Sequence, residues 1–137
     1  MTLHAKGPFD VKLAPQPLAS EDKIEGATLA RLSIDKAFHG DLEAASKGEM
    51  LSAAGSVKGS AGYVAIEKVS GTLGGRKGTF VLQHNATMTR GAPYLNIVVV
   101  PDSGTDELVG LTGTMKIVIA PGGAHSYEFD YAFDKAT

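Results

Sequence analysis

The 137-residue chain contains no cysteine. Disulfides, thiolate nucleophiles and cysteine-type zinc sites are therefore excluded together. It also carries little excess charge, since thirteen Lys and Arg against fifteen Asp and Glu leave a formal net charge of −2. The basic residues are scattered and form no stripe, so no nucleic-acid partner is expected. No apolar run approaches the ~20 residues that a membrane helix needs. The N-terminal MTLHAKGPFD lacks a basic segment followed by an apolar stretch. A signal peptide and a membrane partner are therefore not expected, and a cytoplasmic location is.

Familiar motifs are missing too. GTLGGRKG has the glycine content of a phosphate loop without its spacing, and no helix follows it. Ser103 in PDSGT does not sit in a nucleophile elbow. The Asn85-Ala86-Thr87 sequon lies mid-strand and reads as chance. His4, His39, His84 and His125 show neither H-x-H nor HExxH spacing, so neither a metal nor a cofactor is expected.

What remains is the pattern of an all-β protein. Hydrophobic residues make up 43% and charged residues 20%, which suits one globular domain spanning residues 1–137. The 17 glycines recur as turn punctuation between alternating segments. Phe9, Val11 and Leu13 alternate with polar neighbours. Strands follow at Ala27–Phe38, Asp41–Leu51, Ala61–Leu73, Gly78–Arg90, Tyr94–Val100, Leu111–Ala120 and His125–Phe133. A helical turn is expected at Thr105–Leu108, with Thr105 as its cap. Ala14–Gly26 reads as a surface connection, because Pro15 and Pro17 cannot donate ladder hydrogen bonds. About eight strands joined by short turns predict a small up-and-down antiparallel β-barrel, with a sandwich as the alternative. Closure would remove the exposed edge that YLNIVVV otherwise presents.

The strand FVLQHNATMTR raises the functional question, because its apolar face carries His84. With Gly75-Arg76 as a two-residue loop, or Gly74–Lys77 as a four-residue one, His84 falls directly across from Glu67. Met88 then opposes Tyr63, and Leu82 opposes Val69. One face collects Tyr63, Ala65, Glu67, Val69, Phe80, Leu82, His84, Ala86 and Met88, and it is placed inside. A Glu67–His84 pair in an apolar lumen can share a proton and serve as a catalytic acid–base couple. The alternative is that the two residues only satisfy each other within a filled barrel. In the last strand, Tyr127, Phe129 and Tyr131 share one face, which suits either a small-molecule pocket or a packed core. The candidate ligand-binding residues are thus Tyr63, Phe80, Leu82, Met88, Tyr127, Phe129 and Tyr131. Lys36 and Glu43 are expected to form a cross-strand ion pair about His39-Gly40.

The segments FHGDLEAASKGEML, YVAIEKVSGTLGGRKGTFVLQH, VVVPDSGTDELVGLTG and HSYEFDYAF together resemble a bacterial family catalogued as a domain of unknown function. The resemblance runs from about Phe9 to Phe133. It implies a small antiparallel barrel similar to that of plant allene oxide cyclases, and assembly as a homo-oligomer. No reaction is established for the family, so it assigns no catalytic residue. Asp102 and Asp106 stand where its members often have glycine.

Three functions are compatible with these readings. The first is binding of a small, mostly apolar molecule in the lumen. The second is an isomerase or cyclase using Glu67–His84, with Tyr127 or Tyr131 orienting the substrate. The third is a structural oligomerisation module with a filled core.

Overall fold

A computed structural model describes residues 1–18 and 26–134. Eight strands close into one antiparallel barrel in chain order. They are β1 (Leu3–Gln16), β2 (Ala27–Phe38), β3 (Leu42–Gly55), β4 (Ala61–Leu73), β5 (Arg76–Thr89), β6 (Ala92–Val99), β7 (Leu111–Ile119) and β8 (His125–Phe133). β1 completes the ring by pairing with β8 through Leu3–Phe9 and with β2 through Phe9–Gln16. No helix among the described residues is long and apolar enough to cross a membrane.

The alternation expected for β5 is observed. Phe80, Leu82, His84 and Ala86 are buried, while Gln83, Asn85 and Thr87 face outwards. The β4–β5 register differs from the expected one by two residues. The turn is Gly74-Gly75, both at positive φ (56° and 86°), which suits a two-residue hairpin twisted with its strands. Leu73 therefore pairs with Arg76, Val69 with Phe80, and Ala61 with Met88. Side chains repeat every second residue, so a two-residue slip leaves every residue on its expected face.

The β2–β3 hairpin departs further. Lys36 pairs with Ser46 rather than Glu43, and Phe38 with Ala44. The connection is longer than His39-Gly40 alone. Asp41 Oδ2 accepts the Lys6 N–H at 3.0 Å, and Glu43 Oε1 accepts the Gly40 N–H at 2.7 Å. The shift is three residues, an odd number, so Lys36 and Glu43 do not share a face. Glu43 lies outside and Lys36 inside.

Pro15 also lies in a strand, opposite Leu32. At that point β1 pairs with β2 alone, so the missing N–H leaves no ladder position unfilled. Of the connection expected at Ala14–Gly26, residues 14–16 are strand and 19–25 lie outside the described residues. The helical turn is a 3-10 turn at Asp106–Leu108. Thr105 precedes it without a side-chain cap. Its hydroxyl instead accepts the Thr79 N–H at 3.0 Å. Asp102 and Asp106 both take positive φ, 61° and 53°. That is a conformation natural to glycine and tolerated by aspartate.

The barrel has two unlike halves. Around the β2–β3, β4–β5 and β6–β7 connections the interior is packed solid. Phe80 stacks on Phe129 at 5.9 Å, Phe129 on Tyr131 at 5.3 Å, and Phe38 meets Tyr127 edge-on. Leu108 of the 3-10 turn, 1% exposed, closes that end. The opposite half is hollow.

Candidate functional site

The hollow half is a cavity of about 500 Å³. Its walls are almost wholly apolar, with Phe9, Val11, Ile34, Ala86, Met88 and Ile117 among the lining residues. One wall is thin, because β6 and β7 pair only at Ile97–Met115 and Val98–Thr114. Tyr94, Leu95, Ile117 and Ile119 line the cavity beyond the end of that short ladder.

Where the hollow half meets the packed half, four polar side chains form a floor. Glu67 is fully buried and accepts three hydrogen bonds. His84 Nε2 lies 2.6 Å from Oε2, Lys36 Nζ 2.9 Å from the same oxygen, and Ser46 Oγ 2.8 Å from Oε1. Glu67 faces Leu82 across the ladder and His84 faces Ala65. The two are thus diagonal neighbours, a separation that long side chains can bridge. Gly48 makes the room. It is the direct cross-strand partner of Glu67, and a Cβ there would collide with the Ile66 carbonyl oxygen and the Glu67 backbone.

Burial by itself would raise the Glu67 pKa. The hydrogen bond from His84, the charge and hydrogen bond of Lys36, and the charge of His84 together outweigh it, and the pKa falls from 4.5 to about 2. Glu67 is therefore a carboxylate, which only accepts. His84 Nε2 must then carry a hydrogen, leaving Nδ1 towards the Tyr63 hydroxyl at 3.3 Å. The Tyr63 phenol is pushed above its ordinary value, first by burial and then by the charge of Glu67. It stays a neutral hydroxyl.

Not every candidate residue reaches this place. His84, Tyr63 and Met88 line the cavity, and Glu67 sits behind its floor. Phe80, Leu82, Tyr127, Phe129 and Tyr131 belong to the packed half and do not line it. Tyr127 spends its hydroxyl on the backbone, donating to the His39 carbonyl at 2.7 Å and accepting the Leu42 N–H at 2.8 Å. Tyr127 and Tyr131 are thus out of position to orient a substrate in this cavity, and Tyr63 is the tyrosine beside the imidazole. The loop bearing Asp102 and Asp106 is at the closed end, remote from the cavity residues.

Sequence reasoning missed Lys36 and Ser46. The signal for Lys36 was the one that exposed His84, a polar residue in step with apolar ones, here Ile34 and Phe38. Lys36 is 6% exposed, with Nζ 5.1 Å from the Phe9 ring centre and 5.3 Å from that of Phe38. Among the described residues, no group of three or more His, Asp or Glu side chains gathers as a metal site would require.

Fold and site together define a class: a closed eight-stranded antiparallel barrel, plugged at one end, with a buried Lys–Glu–His cluster under a one-ended apolar cavity. The chain belongs to the DUF3224 family, described as "Protein of unknown function", whose model matches residues 5–131. It is similar to a crystallised DUF3224 protein of unknown function from Shewanella oneidensis MR-1, with 52% sequence identity and a TM-score of 0.94. That likeness covers 99% of this chain and 100% of the other. No curated protein matches the chain.

Proposed function

We propose that the protein is a cytoplasmic one that holds a small, mostly apolar molecule in the hollow half of its barrel. The polar end of that molecule rests on Lys36, Tyr63 and His84. The observation carrying this reading is the cavity of about 500 Å³ with apolar walls and one cluster of polar groups at its floor. Ligand sites usually combine a volume of ~300–1,000 Å³ with that composition. A core filled throughout, as a purely structural module would have, is not what these residues build.

The test is native mass spectrometry of protein purified from its own host, compared with the denatured chain. A co-purifying molecule that is lost on denaturation supports the reading. So does saturable uptake of the neutral dye Nile red that Ala86→Trp blocks by filling the lumen. No bound molecule and no saturable uptake would refute it.

A second reading, an isomerase or cyclase, is favoured by the floor itself. Glu67 is desolvated, ionised and hydrogen-bonded to His84, the arrangement that orients an imidazole as a base. Such a site would steer its substrate largely by shape. We also propose that the protein assembles as a homo-oligomer through the outer face of β3 and β4. There Leu51, Val64 and Ile66 are 53%, 53% and 50% exposed, and Leu51 pairs directly with Val64.

A further inference from the structure

The floor cluster leaves two capacities unspent, and they are opposite in kind. Lys36 Nζ has three N–H donors and gives one to Glu67. Among the described residues it has no other hydrogen-bond partner, and it lines the cavity. His84 donates to Glu67 through Nε2, so in the neutral imidazole Nδ1 is the nitrogen that carries the lone pair. The Tyr63 hydroxyl engages that lone pair at 3.3 Å, beyond the usual hydrogen-bond range, and Tyr63 also lines the cavity. Lys36 and His84 bond to the same oxygen, Glu67 Oε2. A donor and a base are thereby fixed side by side under an apolar chamber.

From this juxtaposition we infer that the site enolises small apolar ketones or aldehydes. The inference rests on the reading that the lumen admits such a molecule, and it names substrate and reaction. The carbonyl oxygen accepts from Lys36, and the α-carbon hydrogen lies against His84 Nδ1. In the step, the α C–H bond breaks and its proton passes to Nδ1. The C–H electron pair becomes the new C=C bond, and the C=O π pair moves onto oxygen. Lys36 holds the resulting enolate oxygen, and Glu67 faces the imidazolium. Return of the proton to the same carbon gives exchange; return to the far end of a conjugated system gives an isomer. No co-reactant is consumed.

Charge decides for a carbonyl over a carboxylate head. The Lys36 charge is already matched by Glu67, so a ligand carboxylate would put a second anion beside Glu67 where little water can screen it. A carbonyl oxygen is neutral on arrival and gains charge only as the proton leaves. The ammonium therefore stabilises the transition state more than the ground state.

The experiment uses the full chain with 2-tetralone in D2O, following loss of the α-hydrogen signals by proton NMR. The wild type is expected to exchange them at least ten times faster than buffer at the same pD. His84→Gln should lower the protein's contribution by ~100-fold or more, the worth of a positioned base. Lys36→Met should remove most of it. Exchange no faster than buffer, while saturation-transfer NMR shows the ketone seated, overturns enolisation and leaves lumen binding intact. Failure of both 2-tetralone and 2-tetralol to bind overturns both readings. Exchange that survives His84→Gln and Lys36→Met unchanged assigns the activity elsewhere and overturns the inference.

Discussion

Acid should weaken this barrel through one carboxylate, and the size of the effect can be worked out from the floor cluster. Glu67 has its pKa held at about 2 against an ordinary 4.5. At 1.36 kcal/mol per pH unit, that difference corresponds to about 3 kcal/mol of stability. The folded state favours the ionised form, so the contribution is complete above the unfolded value near 4.5. It drains away as the pH falls through 4.5 towards 2. Against a typical domain stability of ~5–15 kcal/mol, a loss of that size is roughly a fifth to a half or more of the total. The variant Glu67→Gln cannot titrate. It should instead start lower at pH 6, by ~3–5 kcal/mol, because the Lys36 ammonium is left buried without its counterion. Urea unfolding at pH 6, 4, 3 and 2 on both proteins isolates the term. Wild type is expected to lose about 3 kcal/mol more than Glu67→Gln across that range. Two stability curves falling in parallel would refute the electrostatic account of the floor.

Three further outcomes are expected. Tyr127→Phe leaves the Leu42 N–H buried without an acceptor, so thermal or urea unfolding should show a loss of ~1–3 kcal/mol, with Nile red uptake unchanged because Tyr127 belongs to the packed half. Gly48→Ala places a Cβ against the Ile66 carbonyl oxygen and the Glu67 backbone, and urea unfolding should report a cost of ~1–3 kcal/mol. Val64→Lys puts a charge into the exposed apolar strip of β3 and β4. Light scattering on a sizing column should show the wild type as an oligomer and the variant as a smaller species. A monomeric wild type would end the association proposal.

Much of the fold was legible because its signal is local. Alternation along β4, β5 and β8 placed each side chain inside or outside, and glycine spacing separated the strands. The Glu67–His84 contact survived a register two residues away from the expected one, since parity alone puts both on one face. The Lys36–Glu43 pairing did not survive, because the β2–β3 connection differs by an odd number of residues. Whether Gly74-Gly75 or Gly75-Arg76 makes a turn depends on which residues tolerate positive φ in place, and both choices read alike in GGRK. Lys36 carried a readable signal in SIDKAF, but alternation alone could not bring β2 against β4 and β5.

The sequence by itself determined an all-β chain and the apolar faces of β4, β5 and β8, because side-chain direction is set by the two-residue period of the backbone. Only closure of the barrel decided which half would be filled. Phe80 meets Phe129, and Phe38 meets Tyr127, across strands far apart in the chain. Those contacts plug one end, leave the other hollow, and bring Lys36 and His84 to a single oxygen of Glu67. Packing across the lumen is a property of all eight strands at once, so no single stretch of sequence encodes it.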